Sequence, residues 1–139
     1  MLPFTDDQRE ALRERVQRFA EGLPRRGKPE GDPRALVKAM GDAGLLRLCV
    51  PAAFGGDAAQ VLPLSLAVAR EEIAYASGLA DALLAVQGLS AYPIVVGGSD
   101  QTRARFLPQV ATGEAIGGFA ATEAEAGSDL AAVATHILS

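Results

Sequence analysis

The chain has 139 residues, 49% of them hydrophobic and 22% charged, which matches one ordinary globular domain with enough apolar material for a core and argues against disorder. Thirteen Lys+Arg against seventeen Asp+Glu give a net charge of −4, and no basic stripe interleaved with aromatics occurs, so nucleic acid is not an expected partner. With one cysteine and one histidine the chain offers neither an internal disulfide nor a Cys/His metal set; Cys49, inside an apolar run, reads as a buried structural thiol.

Met1-Leu-Pro-Phe followed by charged residues is not expected to be a signal peptide, and no apolar stretch is expected to reach membrane-spanning length. No membrane and a reducing, cytoplasmic setting are therefore expected. In chain order, Thr5 or Asp6 can cap a first helix, with Gln8 placed for a capping box on Thr5 and Leu12, Val16 and Phe19 on one face. Residues 22–33, GLPRRGKPEGDP, end that helix in a solvated connection, where the Arg25-Arg26 pair serves solubility rather than phosphate binding.

A second helix is expected from Pro33 or Arg34 to about Ala43, with Leu36, Val37 and Met40 inward and Gly44 just past its end. Residues 45–51 then read as extended. The double glycine of Ala53-Phe54-Gly55-Gly56 is a structural turn, because no Walker lysine or Gly-x-Gly-x-x-Gly spacing accompanies it and the only lysines are Lys28 and Lys38. A third helix spans roughly residues 62–75, with Leu62, Leu66, Ala69 or Arg70, and Ile73 on one repeat. The fourth runs from about Leu79 to Leu89 or beyond; it is apolar nearly all round, as in a helix central to a larger assembly, and Tyr92 and Pro93 begin its less regular end. Ser99 and Asp100 open a fifth, to about Ala111, with Phe106, Leu107 and Val110 inward, Pro108 within it, and Thr112-Gly113 closing it.

The stretch GGFAATEAEAGSD, residues 117–129, begins as a short buried strand over residues 118–121 and continues into a turn of small residues and hydrogen-bonding groups. Its donors suit an anionic or carbonyl-rich ligand; Ser128 or Asp129 equally suits a cap before Leu130-Ala131-Ala132-Val133, so the residues alone leave both open. A single strand cannot satisfy its own ladder groups, so something must continue or complement it. His136, without a visible partner, reads as an exposed strand residue.

Three segments in this order, AGLLRLCVPAAFGG (43–56), GSDQTRARFLPQVATGE (98–114) and FAATEAEAGSD (119–129), resemble the acyl-CoA dehydrogenase family. The resemblance covers essentially the whole chain. It implies an all-α fold, the N-terminal helical bundle domain over residues 1–115, with the start of the middle β-domain over 116–139. The rest of the β-domain and a C-terminal four-helix bundle have no counterpart here, so the chain is expected to be a truncated form of a larger polypeptide.

What the resemblance implies for chemistry is an FAD-dependent oxidoreductase that removes the α and β hydrogens of an acyl thioester, a carboxylate base taking the α proton while the β hydrogen leaves as hydride. That base belongs to the missing C-terminal bundle; Glu123 and Glu125 are not substitutes, so no catalytic residue is assigned and the fragment alone is expected to be inert. Phe119, Ala121 and Thr122 should lie beside the flavin ring, Thr122 donating to its pyrimidine edge, where negative charge develops on reduction. Gly127 and Ser128 should border both the flavin and the pantetheine arm of the thioester. Leu83, Val86, Gln87 and Ser90, on the fourth helix, are candidates for the acyl-pocket wall. Expected partners are an electron-transfer flavoprotein or other electron acceptor and further copies of the chain in a homotetramer, or a complementing subunit.

Two features depart from the family pattern. Ala124-Glu125 stands where Pro-Gly is common, and Phe119 where tyrosine is frequent; together they point toward a divergent substrate, such as an aminoacyl or polyketide-type group on a carrier protein. A reading from another class is a non-catalytic helical subunit, or an inactive remnant, that docks a partner.

Overall fold

The computed structural model describes residues 5–24 and 31–136. Met1-Leu-Pro-Phe, the Arg25-Arg26 pair, Lys28 and the final three residues lie outside the described residues. Five α-helices make up the architecture: α1 (Asp6–Glu21), α2 (Pro33–Asp42), α3 (Pro63–Ala76), α4 (Gly78–Gly97) and α5 (Asp100–Thr112). Each starts or stops on local chemistry. The Thr5 hydroxyl accepts the Gln8 amide at 3.3 Å while the Gln8 side chain accepts the Thr5 amide at 2.9 Å, the expected capping box. Asp32 caps α2 with Pro33 in its first turn, Ser77 caps α4 and Ser99 caps α5. Gly44 (φ 72°) and Gly113 (φ 73°) take the left-handed conformation that ends α2 and α5.

The core gathers Val16 of α1, Val37 and Met40 of α2, Ala69 and Ile73 of α3, Leu84 of α4 and Leu107 of α5. α1 lies along α3, fastened at its outer edge by Arg13 on Glu72 (3.2 Å) and Gln17 on Glu72 (3.1 Å). Its other edge is tied by Arg15, which shares Asp57 with Arg47 at 2.7 and 2.9 Å.

Residues 45–51 do not extend as the sequence reading expects: Leu45–Cys49 is a 3-10 helix. A strand turns alternate residues to opposite faces, whereas Leu45, Leu46, Leu48, Cys49 and Val50 are all buried. A tight helical turn buries them on one core and leaves Arg47 outside. The following double glycine is the structural turn expected: Gly55 has φ 96°, and a Cβ on Gly56 would fall 1.8 Å from the Val50 carbonyl oxygen. The amides of Phe54, Gly55 and Gly56 all donate to carbonyls of Pro51 and Ala52, so none is left for a phosphate.

Three further expectations are corrected. Phe106 lies on the outer side of α5, half-exposed with Arg105 over its ring at 5.0 Å, because the inward stripe is Leu107, Val110 and Ala111, one residue further round. α4 continues through Pro93 to Gly97; at 20 residues it is long and apolar enough to cross a membrane by length and composition, which the reading that loosened it at Tyr92 and Pro93 had missed. Ala80, Leu84, Gln87 and Ala91 form its buried stripe, against α2, α3, α5 and the 45–49 turn. Residues 118–121 form no strand: among the described residues no sheet exists to pair with them, and Gly118, Phe119 and Ala120 are exposed.

Candidate functional site

An apolar groove of about 770 Å³ opens between α3 and α4. Pro63, Leu66 and Ala67 line it from α3, and Ala85, Gly88, Leu89 and Tyr92 line it from α4. Phe119, 53% exposed, closes one side from the segment beyond α5. Small residues at 85 and 88 create the hollow: a Cβ on Gly88 would stand 3.8 Å from the Cys49 sulfur, so nothing but the 45–49 turn fills the space beneath it. Cys49 itself is buried, and burial pushes its thiol up to about 12, so it stays neutral under the groove.

Among the described residues the only charged side chain lining the groove is that of Arg70, and it is spoken for. Its guanidinium donates to both carboxylate oxygens of Asp81, at 2.7 and 2.9 Å, across the α3–α4 gap. The hydrogen bond to Asp81 raises the Arg70 pKa further, and Asp81 sits in the first turn of α4, where a negative charge meets the positive end of the helix. The groove therefore presents hydrocarbon to a ligand and no free charge.

Beyond Phe119 the chain makes a closed loop. Glu123 and Ala126 exchange backbone hydrogen bonds (2.9 and 3.3 Å), and Ala126 is fully buried. The Glu123 carboxylate accepts the amides of Ala134 (2.8 Å) and Thr135 (2.9 Å), which hold it below the usual carboxylate range. Asp129, rather than Ser128, performs the capping: its side chain accepts the Ala131 amide at 3.1 Å and opens a single 3-10 turn, Leu130–Ala132. Thr122, Gly127 and Ser128 remain exposed on this loop, and Ala121 is half-buried. Neither hydroxyl, of Thr122 or of Ser128, is used within the described residues, and a Cβ on Gly127 would meet nothing within 4 Å.

Phe119, Ala121, Thr122, Gly127 and Ser128 are thus brought onto one short loop beside the groove. The four α4 candidates fall elsewhere. Leu83, Val86, Gln87 and Ser90 do not line the groove; they follow one another on the flank of α4 turned away from it. Gln87 is 1% exposed, its amide nitrogen donating to the Ala115 carbonyl (3.0 Å) and its oxygen accepting the Gly117 amide (2.5 Å). Ser90 donates to the Gln87 carbonyl at 3.0 Å and packs under Gly117.

Sequence reasoning missed Ala85, Gly88, Leu89 and Tyr92 as a set. Their signal was two small residues three apart, followed by Leu and Tyr at the same helical spacing. The clasp made by Glu123 carried no sequence signal, since both of its partners are backbone amides. Among the described residues no group of three or more His, Cys, Asp or Glu could hold a metal ion.

A model of the acyl-CoA dehydrogenase N-terminal domain matches residues 5–114, which is α1 to just past α5. The chain is 33% identical over 109 residues to an acyl-CoA dehydrogenase of Bacillus subtilis strain 168, covering 78% of this chain and 28% of that protein. It is 31% identical over 131 residues to the cyclohexane-1-carbonyl-CoA dehydrogenase of Geobacter metallireducens, covering 94% and 33%. It is 40% identical over 90 residues to the L-prolyl-(peptidyl-carrier protein) dehydrogenase of Pseudomonas fluorescens, covering 64% and 24%. The chain spans a third or less of the length of these relatives. The helix order, the caps and the match over residues 5–114 agree: this chain belongs to the acyl-CoA dehydrogenase family and comprises its N-terminal helical domain.

Proposed function

We propose that the protein carrying this domain dehydrogenates an acyl thioester between its α and β carbons, with FAD as cofactor. The observation that carries the proposal is an uncharged apolar groove, of a size that suits a small-molecule ligand, opening beside a loop of unused donors. The acyl chain lies in the groove, against Leu66, Gly88, Leu89 and Tyr92. Phe119 stands between groove and loop, where a thioester carbon and a redox ring would have to meet.

The loop residues fit one edge of a flavin. Thr122 and Ser128 offer hydroxyls, Gly127 leaves room for close approach, and the nearby Glu123 carboxylate is turned onto its own backbone. Bound flavin supplies the two-electron acceptor of the reaction. Thr122 would hold the flavin by its hydroxyl at the edge where reduction adds negative charge, Ser128 would hold the pantetheine arm, and Phe119 with Tyr92 would keep water from the reacting carbons. Glu123 is not the base, since its carboxylate is engaged by two amides. The base comes from another part of the protein.

Relatives named for CoA thioesters and for a carrier-protein thioester support either carrier, and an electron-transfer flavoprotein is the acceptor that suits this chemistry. The exposed flank of α4 bearing Val86 also suits the second reading, a non-catalytic helical subunit. One experiment separates the two: intact mass and visible spectrum of the natively expressed protein. A mass about three times that of this chain, with a flavin band that bleaches on adding a saturated acyl-CoA, is expected from its share of the relatives' length. A purified protein with no flavin band, and no uptake of added FAD, would overturn the proposal.

A further inference from the structure

Gln87 occupies a position that a substrate wall does not explain. Among the described residues it is the one amide side chain buried in the core, on the same stripe of α4 as Ala80, Leu84 and Ala91. A buried amide without partners is unfavourable, so such a residue is tolerated only where its bonds are made. Here both ends are satisfied, and both partners belong to one short segment: the Ala115 carbonyl at 3.0 Å and the Gly117 amide at 2.5 Å. The amide donates to the C=O of 115 and accepts from the N–H of 117, so a single side chain fastens the segment at two points two residues apart.

The surroundings leave the segment little freedom. A Cβ on Gly117 would fall 1.7 Å from the Ser90 hydroxyl oxygen and 3.2 Å from the Gln87 side-chain oxygen, so the backbone at 117 rests directly on α4. At its near end, Ala115 donates its amide to the Gln109 carbonyl at 3.0 Å, which ties the segment to α5. At its far end, two residues on, stands Phe119, which lines the acyl groove and opens the donor loop. The groove's α4 wall, Ala85, Gly88, Leu89 and Tyr92, is on the same helix as Gln87 but on a different face.

We infer that Gln87 is a positioning residue: by fixing residues 115–117 on α4 it sets the distance and register between the acyl groove and the donor loop that follows. The inference rests on the function proposed above. Gln87 touches neither ligand; it acts through Gly117 and Phe119. Misplacing a reacting group by about 1 Å costs on the order of 100-fold in rate, so loss of both bonds should appear in the chemical step rather than in substrate binding.

The test uses the full-length, flavin-loaded protein. Gln87→Met keeps the length and removes both bonds; Gln87→Asn keeps the amide but is one methylene too short to span 115 and 117. The expected result for either is unchanged helicity, kcat lowered about 10- to 100-fold, KM for the acyl thioester within about threefold, and a shifted flavin band. Gln87→Asn carries the comparison if Gln87→Met does not fold. A folded variant with wild-type kcat overturns the inference, even if its melting temperature falls. Raised KM at unchanged kcat overturns it too, and returns Gln87 to the substrate wall. If the wild-type protein takes up no flavin, the functional reading itself fails and the inference falls with it, a result told apart by the wild-type control alone.

Discussion

Gly41 sits inside α2, where a glycine ordinarily weakens a helix by about 1 kcal/mol relative to alanine. Gly41→Ala should nevertheless destabilise the protein. An alanine Cβ there would lie 2.1 Å from the Thr112 carbonyl oxygen, 2.4 Å from its carbon and 2.8 Å from the Gly113 nitrogen, where ordinary contact begins at 3.4 Å. All three are backbone atoms at the C-terminal end of α5, and they cannot rotate away. Gly113 is itself pinned, since its own Cβ would fall 2.6 Å from the Val37 carbonyl oxygen on α2.

Separating the two helices by the missing 1.3 Å would open the core between Val37, Met40, Leu107 and Val110. Overpacking of this kind costs about 1–3 kcal/mol, from which the helix-propensity gain of about 1 kcal/mol is recovered. With all three clashes on backbone atoms the cost sits at the upper end of that range, so the net loss should reach about 2 kcal/mol, or a fall of up to about 8 °C in Tm for a domain of this size. Thermal unfolding followed by far-UV circular dichroism reads it. The control is Gly97→Ala in the last turn of α4, where an added Cβ meets nothing within 4 Å and Tm should hold or rise slightly. If Gly41→Ala melts at or above the wild-type temperature, the α2–α5 contact is looser than described and the packing argument fails.

Three more outcomes follow from the site. The Cys49 thiol ionises at about 12 when folded against 9.0 ordinarily, so its contribution is intact below pH 9 and is lost as pH rises toward 12, at about 1.4 kcal/mol per pH unit; Cys49→Ala should remove that part of the alkaline slope in urea titrations, and an unchanged slope would refute it. Glu123 has a folded pKa below its unfolded one, so its clasp persists above the usual carboxylate range and loosens as pH falls through the lower folded value. Glu123→Gln should accordingly speed hydrogen exchange at Ala134 and Thr135 while leaving the helices untouched, and protection unchanged at both amides would count against the clasp. Gly88→Ala should raise Tm by up to about 1 kcal/mol equivalent and raise KM for the bulkiest accepted acyl groups severalfold, with small ones unaffected; equal effects on all substrates would detach the groove from the acyl chain.

How far the sequence disclosed this structure depended on the range of each interaction. Thr5 with Gln8, Ser99 before Asp100, and Gly44 and Gly113 after their helices act within four residues, and each could be read directly. Leu36, Val37 and Met40 were legible from periodicity because α2 buries one face only. The 45–49 turn was not, since its consecutive apolar residues suit a buried strand as well as a tight helix. Phe106 was misplaced by one helical position, a step too small for a pattern containing Leu107 on its other side. The groove exists only because α3 and α4 cross with Ala85 and Gly88 facing the gap, and the spacing of those two small residues is too weak a mark to single out one face of a helix that is apolar nearly all round. Gln87 was singled out through the family resemblance, as a candidate for the acyl-pocket wall, and its backbone partners 28 and 30 residues away could not be read from the chain.

α4 divides its labour by angle. Ala80, Leu84, Gln87 and Ala91 hold the core and the donor loop, while Ala85, Gly88, Leu89 and Tyr92 shape the hollow beside them. Leu84 is the single residue that serves both. Substitutions on the two faces should therefore combine nearly additively except where they touch Leu84 or Cys49, the points the faces share. On the proposed reading, exchanges at Ala85, Leu89 and Tyr92 would retune which acyl groups the groove admits while leaving the buried stripe of Ala80, Gln87 and Ala91 in place.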